Sequence, residues 1–175
     1  MGLPPIQRID HIPVVILQED SAWDRDRINY EAGVLRGDEP DERGRPPFEK
    51  WEHHPVYRYH AGDTRYDIGP AEQYLREGDE PSRFTLRRLS HAEFVQVETM
   101  QGQGRGPEAR LYALKRGLAE VSGLDGFTLP TGNDHVLDEQ AIAKLRARIG
   151  DNGLTYLGNA VIIASRRLTE PEKKQ

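Results

Sequence analysis

A chain of 175 residues is long enough for one domain with its own core. With 36% hydrophobic residues, 30% charged residues and a mean hydropathy of −0.75, either that core is small or part of the apolar surface serves another chain. The absence of cysteine excludes disulfides, thiolate zinc sites and cysteine nucleophiles, and a net charge of −5 without a concentrated basic face argues against a nucleic-acid partner.

Residues 1–100 carry 13 basic and 20 acidic side chains, and residues 101–175 carry 11 and 9, so no segment has a strong basic excess. The opening MGLPPIQRID has no basic region followed by an apolar run, so no secretory signal is expected. The longest apolar run, Ile12 to Leu17, is far too short to span a bilayer, and no membrane association is expected.

Residues 1–11 read as an arm. Ile12 to Leu17 is β-branched and apolar and predicts a strand, with Pro13 at its start or on an edge. The charged stretch that follows offers Ser21 as a cap and Ile28 and Leu35 as apolar anchors. The alternating charges Asp24-Arg-Asp-Arg27 read as solvated. Residues 37–47 have the composition of an extended connection, or of a second arm that orders against a partner.

Phe48 to Tyr74 is the densest stretch, with six of the 13 aromatic residues and three of the six histidines. Val56–His60 and Thr64–Ile68 flank Ala61-Gly62-Asp63, which predicts a β-hairpin over about 56–68. Strand alternation would put Tyr57 and Tyr59 on one face. Pro70 then suits the start of a short helix to Leu75.

Phe84 to Leu89 predicts a strand with Phe84 and Leu86 on one face. Ser90-His-Ala-Glu93 is a capping box that opens a helix over about 91–100, burying Phe94, Val95 and Val97. After the glycine-rich linker at 102–106, Pro107 starts a helix from Glu108 to Val121, with Leu111, Leu114, Leu118 and Val121 at helical spacing. A third helix covers Val136 to Ile149, with Gly150 as its cap. Asp151-Asn-Gly153 reads as a turn. A fourth helix covers Leu154 to Arg167, with Leu154, Leu157, Val161, Ala164 and Leu168 on one stripe, and Gly158 and Ala160 allow close approach of another helix.

The fold class is therefore α+β. A loop-rich region with a few antiparallel strands (1–90) precedes a helical region (91–175), and the two make one composite domain.

Catalytic signals are sparse. His54, His60 and Asp63 are the residue types that hold a divalent metal, but His54 and His60 would lie about 20 Å apart on an extended strand unless the chain reverses at Pro55. Carboxylate pairs such as Glu19-Asp20 sit beside chain breakers without an apolar wall to raise a pKa. Gly102, Gly104 and Gly106 follow a helix and make no phosphate loop, and no Gly-x-Ser-x-Gly elbow occurs. No catalytic residue, metal site or cofactor is assigned. A metal-dependent enzyme built on His54, His60 and Asp63 is the alternative of another class.

Two stretches carry a resemblance. Leu157-Gly-Asn-Ala-Val-Ile-Ile-Ala-Ser-Arg-Arg-Leu-Thr-Glu-Pro-Glu-Lys-Lys174 resembles the end of small tail-assembly proteins of tailed bacteriophages, with Arg167 lengthening the motif by one. Phe84-Thr-Leu-Arg-Arg-Leu-Ser-His-Ala-Glu-Phe94 is similar to a strand–helix unit of the same group. The resemblance implies a non-enzymatic protein of the tail region, an assembly chaperone or a minor structural component, located in the host cytoplasm during assembly or in the virion. A capsid-decorating or connector protein is the alternative of the same class. Expected partners are the tape-measure or tail-tube protein, or a second copy of the chain. The candidate contact residues are Tyr57, Tyr59 and Tyr66 on the hairpin and Leu154, Leu157, Val161 and Leu168 on the last helix.

Overall fold

The computed structural model describes residues 13–32, 53–61, 68–129 and 136–172, with side chains to 166. Three short strands, β1 (Val14–Ile16), β2 (Arg83–Leu86) and β3 (Leu118–Ser122), form an antiparallel sheet in the order β1-β2-β3. Val15 lies opposite Phe84, and Phe84 opposite Val121. With side chains alternating between faces, these three share one side of the sheet. That side bears the main core, where Val15, Phe84 and Leu86 are fully buried. The expected shared face of Phe84 and Leu86 is realised.

Helix α3 (His91–Gly102) begins at the predicted capping box. Ser90 Oγ accepts from Glu93 N–H at 3.3 Å, and Ser90 N–H donates to Glu93 Oε2 at 2.8 Å. Phe94 and Val97 are buried, but Val95 is 43% exposed, contrary to expectation. One residue past Phe94 turns a side chain about 100° around the helix and off the apolar face.

Helix α4 (Gly106–Gly117) ends earlier than its periodicity predicts. Leu118 to Val121 belong to β3 instead of the helix. Arg87 N–H donates to Gly117 O at 2.7 Å, and Leu118 and Val121 pair with Leu86 and Phe84. Pairing with β2 overrides a helical spacing that Leu111, Leu114 and Leu118 satisfy equally well. Because β3 comes from the second region and β2 from the first, the two regions share one sheet.

Helix α5 (Glu139–Glu172) is broken at a single residue, Gly150, with φ 70° and ψ 177°. A positive φ suits glycine. The expected turn at 151–153 is instead the start of the second arm. That arm packs closely on α4: a Cβ at Gly158 would lie 2.5 Å from the Arg110 carbonyl oxygen. Here the expected role of Gly158 in close helix approach is realised within the chain.

The other face of the sheet carries a second cluster of Ile16, Trp23, Ile28, Val56, Tyr59, Ile68, Ala71 and Tyr74. It is built by α1 (Arg25–Glu31), α2 (Pro55–His60) and a 3₁₀ helix at Gly69–Tyr74. The predicted hairpin over 56–68 is incorrect, because its first strand is α2. Pro55 occupies the first turn after His54, which caps the helix through its side chain. Val56 and Tyr59, three apart, then face the sheet together, and the alternation that suggested a strand has no pleat to serve. Residues 62–67, including Asp63 and Tyr66, lie outside the described residues.

Candidate functional site

Among the described residues, a well-connected polar group on the second cluster is Glu31, at the end of α1. Arg27, one turn earlier, donates from Nε to Glu31 Oε1 at 3.1 Å. Its Nη1 donates to the Gln73 carbonyl at 2.9 Å, and its guanidinium lies 4.6 Å from the centre of the Tyr74 ring. The Tyr74 hydroxyl donates to Glu31 Oε2. His54 Nε2 lies 3.4 Å from the same oxygen, within ion-pair distance but without an aligned hydrogen bond. One carboxylate thus ties α1 to the 3₁₀ helix and faces the cap of α2.

The surroundings set the charges. The Tyr74 hydroxyl holds the Glu31 carboxyl below its usual range, against the opposing effect of burial, and Arg27 adds to the lowering. Burial, followed by the bond to Glu31, pushes the Tyr74 phenol up to about 12. Burial lowers the His54 imidazole pKa, with Glu31 opposing.

His54 is only 6% exposed, and its Nδ1 accepts from Val56 N–H at 3.3 Å. Its ring lies 4.7 Å from Tyr74 and 5.4 Å from Tyr57. A carboxylate–imidazole pair acts as a base through a nitrogen open to substrate. Here one ring nitrogen serves the backbone and the other faces Glu31, so the pair is arranged to hold α2.

His60, at the other end of α2, has separate partners. It stands edge-on to Trp23 at 5.4 Å, with Tyr59 at 5.2 Å. Burial, reinforced by the Arg25 charge, lowers its pKa to about 4. The two histidines lie at opposite ends of α2, six residues apart, and contact different aromatic neighbours, so the described structure does not converge them as the metal reading requires. Asp63 lies outside the described residues. Among the described residues, no three His, Asp or Glu side chains are grouped to hold a metal ion.

Several predicted contact residues are internal. Tyr59 is fully buried, and Leu154, Leu157 and Val161 are 6%, 0% and 0% exposed within the main core. Their stripe is met by α4, the chain's own helix, which corrects their assignment as an outward surface. Tyr57 is half-buried beside His54. Leu168 lies on α5, with its side chain outside the described residues, as is Tyr66.

An open groove of about 260 Å³ lies between the start of α4 and the break in α5, lined by Arg110, Leu111, Arg146, Asp151 and Leu154. Arg146 is paired with Asp151 at 2.9 Å, and the buried Arg110 Nε has no hydrogen-bond partner.

Sequence reasoning missed the Glu31 hub. The i,i+4 spacing of Arg27 and Glu31 is the available signal, but the solvated reading covers only Asp24 to Arg27 and gives Glu31 no role. Nothing local announces Tyr74 as the third member.

No protein-family model, curated protein or solved structure matches the chain. Among the described residues, no helix is long and apolar enough to cross a membrane.

Proposed function

We propose that this chain is a non-enzymatic protein of tailed bacteriophages that works through protein contacts in tail assembly. The observation that carries the proposal is the meeting of the two stretches that resemble that group. Leu89 N–H, in the Phe84–Phe94 unit, donates to Ser165 Oγ at 3.0 Å, and Ser165 donates to Val161 O at 2.7 Å. Ser165 is 2% exposed. Segments about 70 residues apart in sequence thus form one interlocked unit, which supports reading them as parts of a single shared design.

In this reading the chain acts in the host cytoplasm as an assembly chaperone for the tape-measure or tail-tube protein. Retention in the virion as a minor tail, connector or capsid-decorating component is the second form of the proposal. Mass spectrometry of purified virions separates the two. Absence from virions, with tail-less particles when the gene is deleted, is the chaperone result. Stoichiometric presence indicates the structural component. Normal tails after deletion, with no copies in the virion, would overturn both.

A further inference from the structure

A side chain covers the outer edge of β1 at Ile16. Leu86 N–H donates to Pro13 O at 2.9 Å, and the register continues through Val14–Thr85 to Val15–Phe84. Alternation in an antiparallel ladder then turns the Ile16 N–H and C=O away from β2. Both end on one hydroxyl: Tyr59 Oη accepts from Ile16 N–H at 2.8 Å and donates to Ile16 O at 3.4 Å. An open strand edge is a template for pairing with another chain, and α2 occupies its Ile16 position here.

α2 is seated by two imidazoles poorly placed to gain a proton. His54 Nδ1 accepts from Val56 N–H, so the neutral ring carries its proton on Nε2. The proton of an imidazolium must land on Nδ1, where it displaces Val56 N–H and removes the cap of α2. The groups facing His54 are Glu31 and Arg27 from α1, Tyr74 from the 3₁₀ helix and Tyr57 on α2. Glu31 favours the charged ring, while burial and Arg27 oppose it and together prevail. His60 has a buried Nε2 without a hydrogen-bond partner, lies between Trp23 and Tyr59, and has Arg25 as the charge acting on it.

We propose that α2 is a proton-released cover on the β1 edge, with Tyr59 blocking Ile16 while His54 and His60 are neutral and leaving it when they are charged. Opening would free the Ile16 N–H and C=O for hydrogen bonding outside the chain without dismantling the main core, which lies on the opposite face of the sheet.

Residue-resolved hydrogen exchange on the full chain from pH 7.5 to 4.5, corrected for intrinsic rates, tests this. The expected result is a fall of at least tenfold in Ile16 amide protection relative to Phe84, in the central strand, as pH drops below 6.5. In a His54→Asn/His60→Phe variant, where Asn retains the cap without titrating, the ratio should stay flat. Tyr59→Phe should lower Ile16 protection already at pH 7.5. Parallel loss at Ile16 and Phe84 in the wild type, or no change at Ile16, would overturn the proposal whether or not the double variant folds.

Discussion

Gly158→Ala tests the packing of α5 on α4 with opposing terms of known sign. Replacing a helical glycine with alanine stabilises a helix by about 1 kcal/mol where space is free. At Gly158 space is not free. The new Cβ would sit 2.5 Å from the Arg110 carbonyl oxygen and 3.0 Å from its Cβ, whereas ordinary contact begins at 3.4 Å. The obstacle is backbone, so relief requires the two helices to separate by about 1 Å, and overpacking of this kind costs about 1–3 kcal/mol. Set against the gain in propensity, the clash leaves a net loss of up to about 2 kcal/mol, which lowers Tm by up to roughly 8 °C for a chain of this size. Gly102→Ala is the matched control, because a Cβ there meets nothing within 4 Å. Thermal denaturation followed by circular dichroism should show Gly158→Ala below wild type and Gly102→Ala equal to or above it. If both variants shift together, or Gly158→Ala is the more stable, the close approach of α4 and α5 is wrong.

Other expectations follow from single contacts. Ser165→Ala leaves Leu89 N–H unpaired in a buried position and should cost about 1–3 kcal/mol in urea unfolding, with Ser165→Thr recovering part of the loss. Ser90→Ala removes the cap of α3 and should cost about 1 kcal/mol by the same assay. The His60 pKa is depressed from 6.5 in the unfolded chain to about 4, so its contribution is fully present above pH 6.5 and lost as pH falls toward 4. That interval corresponds to about 3 kcal/mol, and denaturant melts at pH 7 and pH 4 should show a smaller acid loss in His60→Phe than in wild type. An equal loss in both would assign the acid sensitivity elsewhere.

The elements legible in the sequence were those with a local cause. The capping box at Ser90 and Glu93 fixed the start of α3, and alternation in Phe84-Thr-Leu86 fixed the buried face of β2. Where local patterns were shared by two structures, long-range pairing decided. Leu118 and Val121 fit a helix by spacing and a strand by composition, and β2 chose the strand. Tyr57 and Tyr59 alternated as in a hairpin, yet Pro55 and the His54 cap set a helix whose inward residues are Val56 and Tyr59. The apolar stripe of the last helix was legible as a stripe, but only α4 packed against it shows that Leu157 and Val161 face inward. The Glu31 hub joins residues 43 apart in sequence, a distance over which periodicity carries no information.

The proposed function requires that this chain bind a phage tail protein. Co-expression of the tagged chain with the tape-measure protein and the tail-tube protein of the same phage, followed by affinity purification and quantitative mass spectrometry, tests it most directly. The expected result is that one of the two is retained at a fixed stoichiometry and that the retained complex stays soluble. Recovery of the chain alone from both co-expressions, with each tail protein behaving as it does without it, would contradict the proposed function.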